Sequence, residues 1–378
     1  AESGADRPKI TIADLYRTFI DELEASPRSH LDRAYKLYWR EYFSNRDLYR
    51  VNDSLIHDYF QWRAKYWKRS NSKGSSRSNK PNNPNTAMAT LDKEKRYLKW
   101  IFKRAAQRQL IAVMPSFPRS LRHLPHVTAL PLNMGRGRFD EADYALVRQA
   151  LGRIRINLNR DETKSDLPFA YKHRLHRYNR TCLWFYLLTI ANSGIRPQEM
   201  RKLRFKDFSE LHDEDGMVYT LIDIRKEVSK VKDYRDVVTR DFDETAKRLA
   251  ILKREHLRYW GRLPSAQDLI FPHPTNYDAM RNMATLVKFF HRRVLRPDGT
   301  SVHTQNHDGT EVYRTAYSYR SWFVVQRLAS GLDVYTLSRL IGTSVDMIAQ
   351  YYDVSLNIHY RKLITQHIRS LKERENVQ

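Results

Sequence analysis

The sequence predicts a mainly α-helical protein with a small β-sheet, an α+β chain of two domains. Three observations lead there. Apolar residues recur at helical spacing through most of the chain. Only two runs, 217–224 and 235–239, read as strands, with a polar, basic connector between them. A stretch dense in Pro, Arg and His, residues 114–137, has poor periodicity and separates two regions rich enough in apolar side chains to build cores. The expected organisation is a helical domain over 1–113, a linker over 114–137 and a second domain over 138–378.

In the first domain Asp14 is placed to cap a helix that carries Leu15, Phe19 and Leu23. Aromatic and basic residues then intermingle, as Tyr35, Tyr38, Trp39, Arg40, Tyr42 and Phe43, and again as Tyr59, Phe60, Trp62, Arg63, Tyr66 and Trp67. They suit a small helical core with a solvated basic rim, and they equally suit stacking on sugars or bases. Residues 70–85 are almost all Ser, Asn, Lys, Gly, Arg and Pro, the composition of a flexible loop. A long helix starts near Thr86, with Leu91, Leu98, Phe102 and Ala105 on one face and Lys95, Arg96, Lys99, Lys103 and Arg108 on others. In the second domain, acidic residues in 139–143 open a helix as the helix dipole favours. The segment 182–191 is apolar nearly all round and predicts a buried helix. Beyond Phe242 the pattern is mainly helical, interrupted at 272–276 and 297–309.

Of 378 residues, 67 are Lys or Arg and 43 are Asp or Glu, a formal net charge of +24. Such an excess fits a polyanionic partner, with nucleic acid ahead of a membrane surface. Lys95, Lys99, Lys103 and Lys232 are the candidate DNA contacts. No stretch approaches the roughly 20 apolar residues that span a bilayer. The polar N-terminus does not read as a signal peptide. Cys182, the one cysteine, rules out an internal disulfide and makes a zinc-thiolate site implausible, which fits a reducing compartment. His303 and His307 have ligand-like spacing but sit among Thr, Gln, Asn, Asp and Gly, and read as loop rather than metal site.

Three separated segments carry chemistry. In Ser193-Gly194-Ile195-Arg196-Pro197-Gln198-Glu199, a buried helix ends at Gly194 and Arg196 lies in the turn that starts another, where its fork of donors can meet a phosphate. A salt bridge to Glu199 is the plainer alternative. In Lys230-Val231-Lys232-Asp233-Tyr234-Arg235, a hairpin lysine can reach into a groove and donate a proton. The third segment holds Tyr317-Ser318-Tyr319-Arg320, then Leu340-Ile341-Gly342-Thr343, then Gln350-Tyr351-Tyr352-Asp353.

Together these segments resemble the tyrosine recombinase, or phage integrase, family. Its catalytic domain carries an Arg in a Gly-hydrophobic-Arg-x-x-Glu box, a hairpin Lys, a His-x-x-Arg box, a Leu-Gly-His/Trp turn and a nucleophilic tyrosine, and five counterparts stand here in that order. The resemblance spans the second domain, and the first looks like the family's core-binding domain. It implies a C-shaped clamp on double-stranded DNA. Tyr352 would attack the phosphorus, Arg196 and Arg320 would hold the non-bridging oxygens, and Lys230 would protonate the departing 5′ hydroxyl. Tyr351 remains an alternative nucleophile and Lys232 an alternative acid. No cofactor or metal is implied. An amphipathic tail, 356–371, would dock on a neighbouring protomer in a DNA-bound tetramer. A cytoplasmic, nucleoid-associated protein of a prokaryote or phage is the matching setting.

Two positions depart from the pattern. Tyr317 stands where the family has His, and Thr343 where it has His or Trp. Neither is a base near neutral pH, yet both can donate a hydrogen bond to a phosphate oxygen. Two rivals share much of the pattern. A type IB topoisomerase would use the same tyrosine chemistry without exchanging partners. A DNA-binding regulator is suggested by the helix-turn-helix character of 337–344, though it leaves the Arg196 box unexplained.

Overall fold

A computed structural model describes residues 9–66, 86–125, 127–128, 137–160, 171–230, 233–239, 242–275, 278, 280, 282–307 and 310–350. The chain divides into two compact units, 1–131 and 132–378.

The first unit is helical: Ile12–Phe19, Ala25–Ala34, Arg40–Phe43, Asp53–Ala64 and Met88–Gln107, with one π-helical turn at Tyr35–Trp39. Asp14 is not the cap of the first helix. Thr11, in extended backbone, is the N-cap, and Asp14 sits three residues in. The Asp14 amide donates to Thr11 Oγ1 at 3.3 Å and the Thr11 amide donates to Asp14 Oδ2 at 2.9 Å, a reciprocal capping box. Asn52 caps the fourth helix through the Leu55 amide at 2.9 Å.

The aromatic runs resolve into core. Tyr38, Trp39, Phe43, Tyr59 and Phe60 are buried, and Tyr35, Tyr42, Trp62 and Tyr66 pack partly buried around them. Ring contacts join Tyr38 with Tyr66, Tyr42 with Tyr59 and Trp62, and Tyr59 with Phe60, while Trp67 lies outside the described residues. One Arg–Glu hydrogen bond is sealed among them. Arg63 Nε donates to Glu94 Oε2 at 3.0 Å, the Tyr59 hydroxyl bonds the other carboxylate oxygen, and the guanidinium lies 3.5 Å from the Tyr38 ring centroid. Full burial pushes the Glu94 carboxyl well above its ordinary range. The start of the expected linker is also core: Leu121 and Leu124 join the same cluster, with Met114 and Phe117 packed against it. Prolines break the helical period there without removing apolar side chains from the interior. Strand β1, Thr86–Ala87, pairs in parallel with β2, Val127–Thr128.

The second unit is built around the Tyr171–Ser193 helix. The helices Glu141–Arg160, Phe242–Trp260, Met283–Arg293 and Ala316–Ala329 pack on it. A three-stranded antiparallel sheet runs β3 (Phe208–His212), β4 (Val218–Ile224), β5 (Arg235–Thr239) in that order. The register sets Ile222 opposite Phe208 and Val237, so one face of the sheet is apolar and joins the core of Phe185, Ile190 and Phe271. Strand β3 lies outside the two sequence-predicted strands. Past Phe208 its residues are exposed, which removes the alternating signal. The segment around His303 is not a plain loop: β6 (Thr304–His307) and β7 (Thr310–Tyr313) form a hairpin. Among the described residues, no three His, Cys, Asp or Glu gather as a metal site, and no helix is long and apolar enough to cross a membrane.

A buried polar lattice fixes the start of the Ala316–Ala329 helix, which carries Tyr317 and Arg320. Arg296 grips Asp143 with two bonds, at 2.7 and 2.9 Å, and Arg314 adds a third at 2.7 Å. Arg314 Nε and Ser318 Oγ donate to the carbonyls of Arg138 and Gly137, at 2.7 and 2.6 Å. Burial drives His291 down to about 3, so its ring is neutral. With Nδ1–H donated to the Arg314 carbonyl, Nε2 accepts from the Tyr319 hydroxyl at 2.9 Å. Tyr319 is the residue before Arg320, and this bond sets the rotation of that turn.

Candidate active site

The site forms where the Tyr171–Ser193 helix ends. Gly194 has φ +66°, a left-handed conformation that closes the helix through its amide to the Ile190 carbonyl at 2.9 Å. A Cβ there would stand 2.4 Å from Phe323 Cδ1, so the position has no room for a side chain. That closeness brings Arg320, one turn before Phe323, against the turn, and Arg320 Nη1 donates to the Gly194 carbonyl at 2.6 Å. Arg196 follows as N-cap of the short Pro197–Met200 helix. The two arginines thus bracket Ile195, and both are buried.

Glu199 gathers the rest. It is 1% exposed and receives Arg196 Nη1 at 2.8 Å, Arg235 Nη2 at 2.6 Å and Nη1 at 3.3 Å, and the Lys230 backbone amide at 3.1 Å. Burial works against its charge. The bonds from Arg235, the charges of Arg235 and Arg196, and the Lys230 amide outweigh burial and hold its carboxyl below the ordinary range. The salt bridge to Arg196 is therefore present, as one arm of a larger cluster. Lys230 itself is exposed on the connector between β4 and β5.

The third wall is the end of the Val334–Ile341 helix. Gly342, at φ +65°, is its C-cap, and the Thr343 amide donates back to the Ser338 carbonyl at 3.0 Å. Arg196 Nη2 donates to the Gly342 carbonyl. Thr343 is half-buried beside it. Tyr317, also half-buried, lies within electrostatic reach of Tyr186, whose hydroxyl donates to the Pro197 carbonyl at 3.1 Å. Arg196, Arg320, the Lys230 backbone and the Gly342–Thr343 turn thus meet around one turn of chain, and Tyr317 lies three residues before Arg320 on the same helix. Tyr352, Tyr351 and Lys232, with the 356–371 tail, lie outside the described residues.

Arg235 carries no role in the sequence, where it only closes the segment that holds the hairpin lysine. Its bond to Glu199 is a long-range pairing that no local pattern signals. With Arg196 and Arg235 on one carboxylate and Arg320 bonded to the adjoining turn, the site carries a surplus of positive charge that an anionic group would neutralise.

Of the candidate DNA contacts in the first unit, Lys99 and Lys103 are exposed on the Met88–Gln107 helix. Lys95 is turned inward instead. Its ammonium donates to the carbonyls of Pro118 and Arg119, at 3.2 and 3.3 Å, and pairs with Asp92 at 3.4 Å. Those bonds engage the donors that a phosphate would need.

No family model matches the sequence, and no curated protein matches it at sequence level. Solved structures do match in shape. The Tn1549 transposon integrase in complex with transposon right end DNA aligns with a TM-score of 0.54 at 14% identity, covering 94% of this chain and 100% of that one. The same integrase with circular intermediate DNA gives 0.54 at 15% identity, covering 91% and 95%. The fold is that of the tyrosine recombinases. A lambda integrase dimer bound to a core site overlays more loosely, with a TM-score of 0.48 at 12% identity over 90% of this chain and 95% of that one. A mainly helical tyrosine-recombinase fold with a small antiparallel sheet is what the order of motifs predicts.

Proposed function

We propose that the chain is a site-specific DNA recombinase that cuts and rejoins strands through a 3′-phosphotyrosine bond. The observation that carries the reading is the Glu199 cluster. It joins, in one place, the Arg196 turn, the hairpin of Lys230 and the Gly342–Thr343 turn, next to Arg320. These are the segments that carry the family's motifs, and the similar integrase is itself bound to transposon-end DNA.

In this reading Tyr352 Oη attacks the scissile phosphorus and a P–O bond forms. The bond to the 5′ oxygen breaks, and Lys230 gives that oxygen a proton. Arg196 and Arg320 take up the charge that builds on the non-bridging oxygens. Tyr317 and Thr343 donate hydrogen bonds to the same phosphate, and the tyrosine proton leaves to solvent or to the phosphate. The 5′ hydroxyl of a second strand then reverses the steps, and the phosphotyrosine conserves the bond energy. The first unit adds backbone contacts along the duplex, and the 356–371 tail joins protomers in a tetramer.

A duplex nicked beside the scissile phosphate traps the intermediate. Wild type should yield a protein-DNA adduct that survives denaturant, and Tyr352→Phe should yield none while its DNA Kd stays nearly unchanged. Formation should persist in excess EDTA, because Glu199, the carboxylate at the cluster, is already engaged by two guanidiniums. An adduct from the Phe variant moves the nucleophile to Tyr351. Two marked duplexes then separate strand exchange from simple relaxation.

A further inference from the structure

We propose that Arg235 is a positioning residue that holds the Lys230 hairpin and the Gly342–Thr343 turn in register with Arg196; the inference rests on the recombinase reading for its catalytic consequence. Arg235 opens β5, directly opposite Ile224, so its backbone is locked into the sheet at the base of the connector that carries Lys230. From there its guanidinium makes two contacts of different kinds. One is the two-bonded grip on Glu199, at 2.6 and 3.3 Å. The same carboxylate accepts the Lys230 amide and Arg196 Nη1, so Arg235 fixes the oxygen to which both answer. The other is a close packing contact and depends on a missing side chain. The Arg235 side chain packs directly against Gly342. A Cβ on that glycine would stand 2.9 Å from Arg235 Cζ and Nε and 3.0 Å from Cδ. Arg235 Nε is buried and has no hydrogen-bond partner among the described residues, so this edge of the guanidinium serves by contact.

The Gly342 turn is thereby held from two sides. Arg196 pulls on its carbonyl and Arg235 supports its Cα, while the Val334–Ile341 helix packs on β5. The planar fork of arginine fits this task. It spans both carboxylate oxygens and still presents a flat face, which an ammonium does not. Being 9% exposed at its side chain, Arg235 has little surface to give to a ligand. Its contribution is geometric: it sets where Lys230 and Thr343 stand relative to Arg196.

The test compares wild type with Arg235→Gln and Arg235→Lys in two assays. The first is backbone hydrogen exchange of DNA-free protein. In Arg235→Gln the amides of Lys230 and Thr343 should exchange faster together, by about tenfold or more, while the helices of the first unit keep their protection. The second is single-turnover attachment to the nicked duplex at saturating DNA. Arg235→Gln should slow attachment on the order of a hundredfold, the scale of a misplacement of about 1 Å, with Kd within about threefold of wild type. Arg235→Lys, which keeps the charge and loses the fork, should match wild type in Kd and recover only part of the rate. Unchanged exchange at either amide overturns the proposal. So does an equal loss in Kd and rate, which marks an ordinary phosphate contact, or full recovery by lysine, which marks a simple charge. A wild-type chain that never attaches to DNA defeats the recombinase reading alone; the exchange data still decide whether Arg235 holds the two segments.

Discussion

A single buried carboxylate that accepts from Arg196, Arg235 and the Lys230 amide has consequences that can be measured. The folded Glu199 carboxyl ionises below its ordinary value of 4.5 because its bonds to Arg235, Arg196 and the Lys230 amide outweigh burial. A group depressed in the folded state contributes stability that is fully present above the unfolded value and lost as pH falls through the folded one. Wild type should therefore lose stability below about pH 4.5, and Glu199→Gln should show a shallower loss in that window. At neutral pH the Gln variant should be less stable by roughly 3–5 kcal/mol, since removing one partner leaves buried guanidiniums uncompensated. Denaturant midpoints across pH read both effects, and parallel curves for the two proteins would refute the assignment. Tyr317 poses a different question at the same scale. If its hydroxyl donates to the scissile phosphate, Tyr317→Phe should slow attachment by about tenfold to a hundredfold, and Tyr317→His should retain or raise the rate. A Phe variant as fast as wild type would mark Tyr317 as packing.

The turns that end two helices set where the arginines meet. Gly194 and Gly342 both end helices in left-handed backbone, and both lack room for a side chain: one faces Phe323, the other Arg235. Gly194→Ala should cost about 1–2 kcal/mol for its conformation and a further roughly 1–3 kcal/mol for the collision with Phe323. Adding Phe323→Leu should return the second share and not the first. A double-mutant cycle in denaturant measures this, and a coupling of zero would show that the contact is not limiting. Much at this scale is legible in sequence. The buried run 182–191 followed by Gly194 announces a helix and its stop, and the 217–224 and 235–239 runs announce β4 and β5. Strand β3 is not legible because only Phe208 in it is buried. Thr11 loses to Asp14 as a sequence cap because both residue types cap helices, and only the backbone decides which stands outside. The pairing of Glu199 with Arg235 is illegible for a deeper reason. It is made by the fold, between a short helix and a strand far along the chain, and no local spacing links the two residues.

At the scale of the whole chain, the surplus of +24 is plain from composition, but which cations face a partner is not. The Met88–Gln107 helix shows why. Lys95, Lys99 and Lys103 look alike in sequence, yet Lys95 is held by two carbonyls from a segment that reads as linker because of its prolines. Lys99 and Lys103 stay exposed, one turn apart. Binding to duplex DNA should weaken steeply with salt, because each phosphate neutralised releases condensed counterions and adds about 0.9 to the slope of log K against log salt. Lys99→Ala and Lys103→Ala should each lower that slope by about one contact and leave thermal stability unchanged. Lys95→Ala should do the reverse. The slope should hold, while stability should fall by about 1 kcal/mol as the carbonyls of Pro118 and Arg119 lose their donor. Titrations at several salt concentrations, paired with thermal melts, separate the two kinds of lysine. A reduced slope in Lys95→Ala would mean that its ammonium leaves those carbonyls for a phosphate when DNA arrives, and that the 114–124 segment is released from its brace on binding.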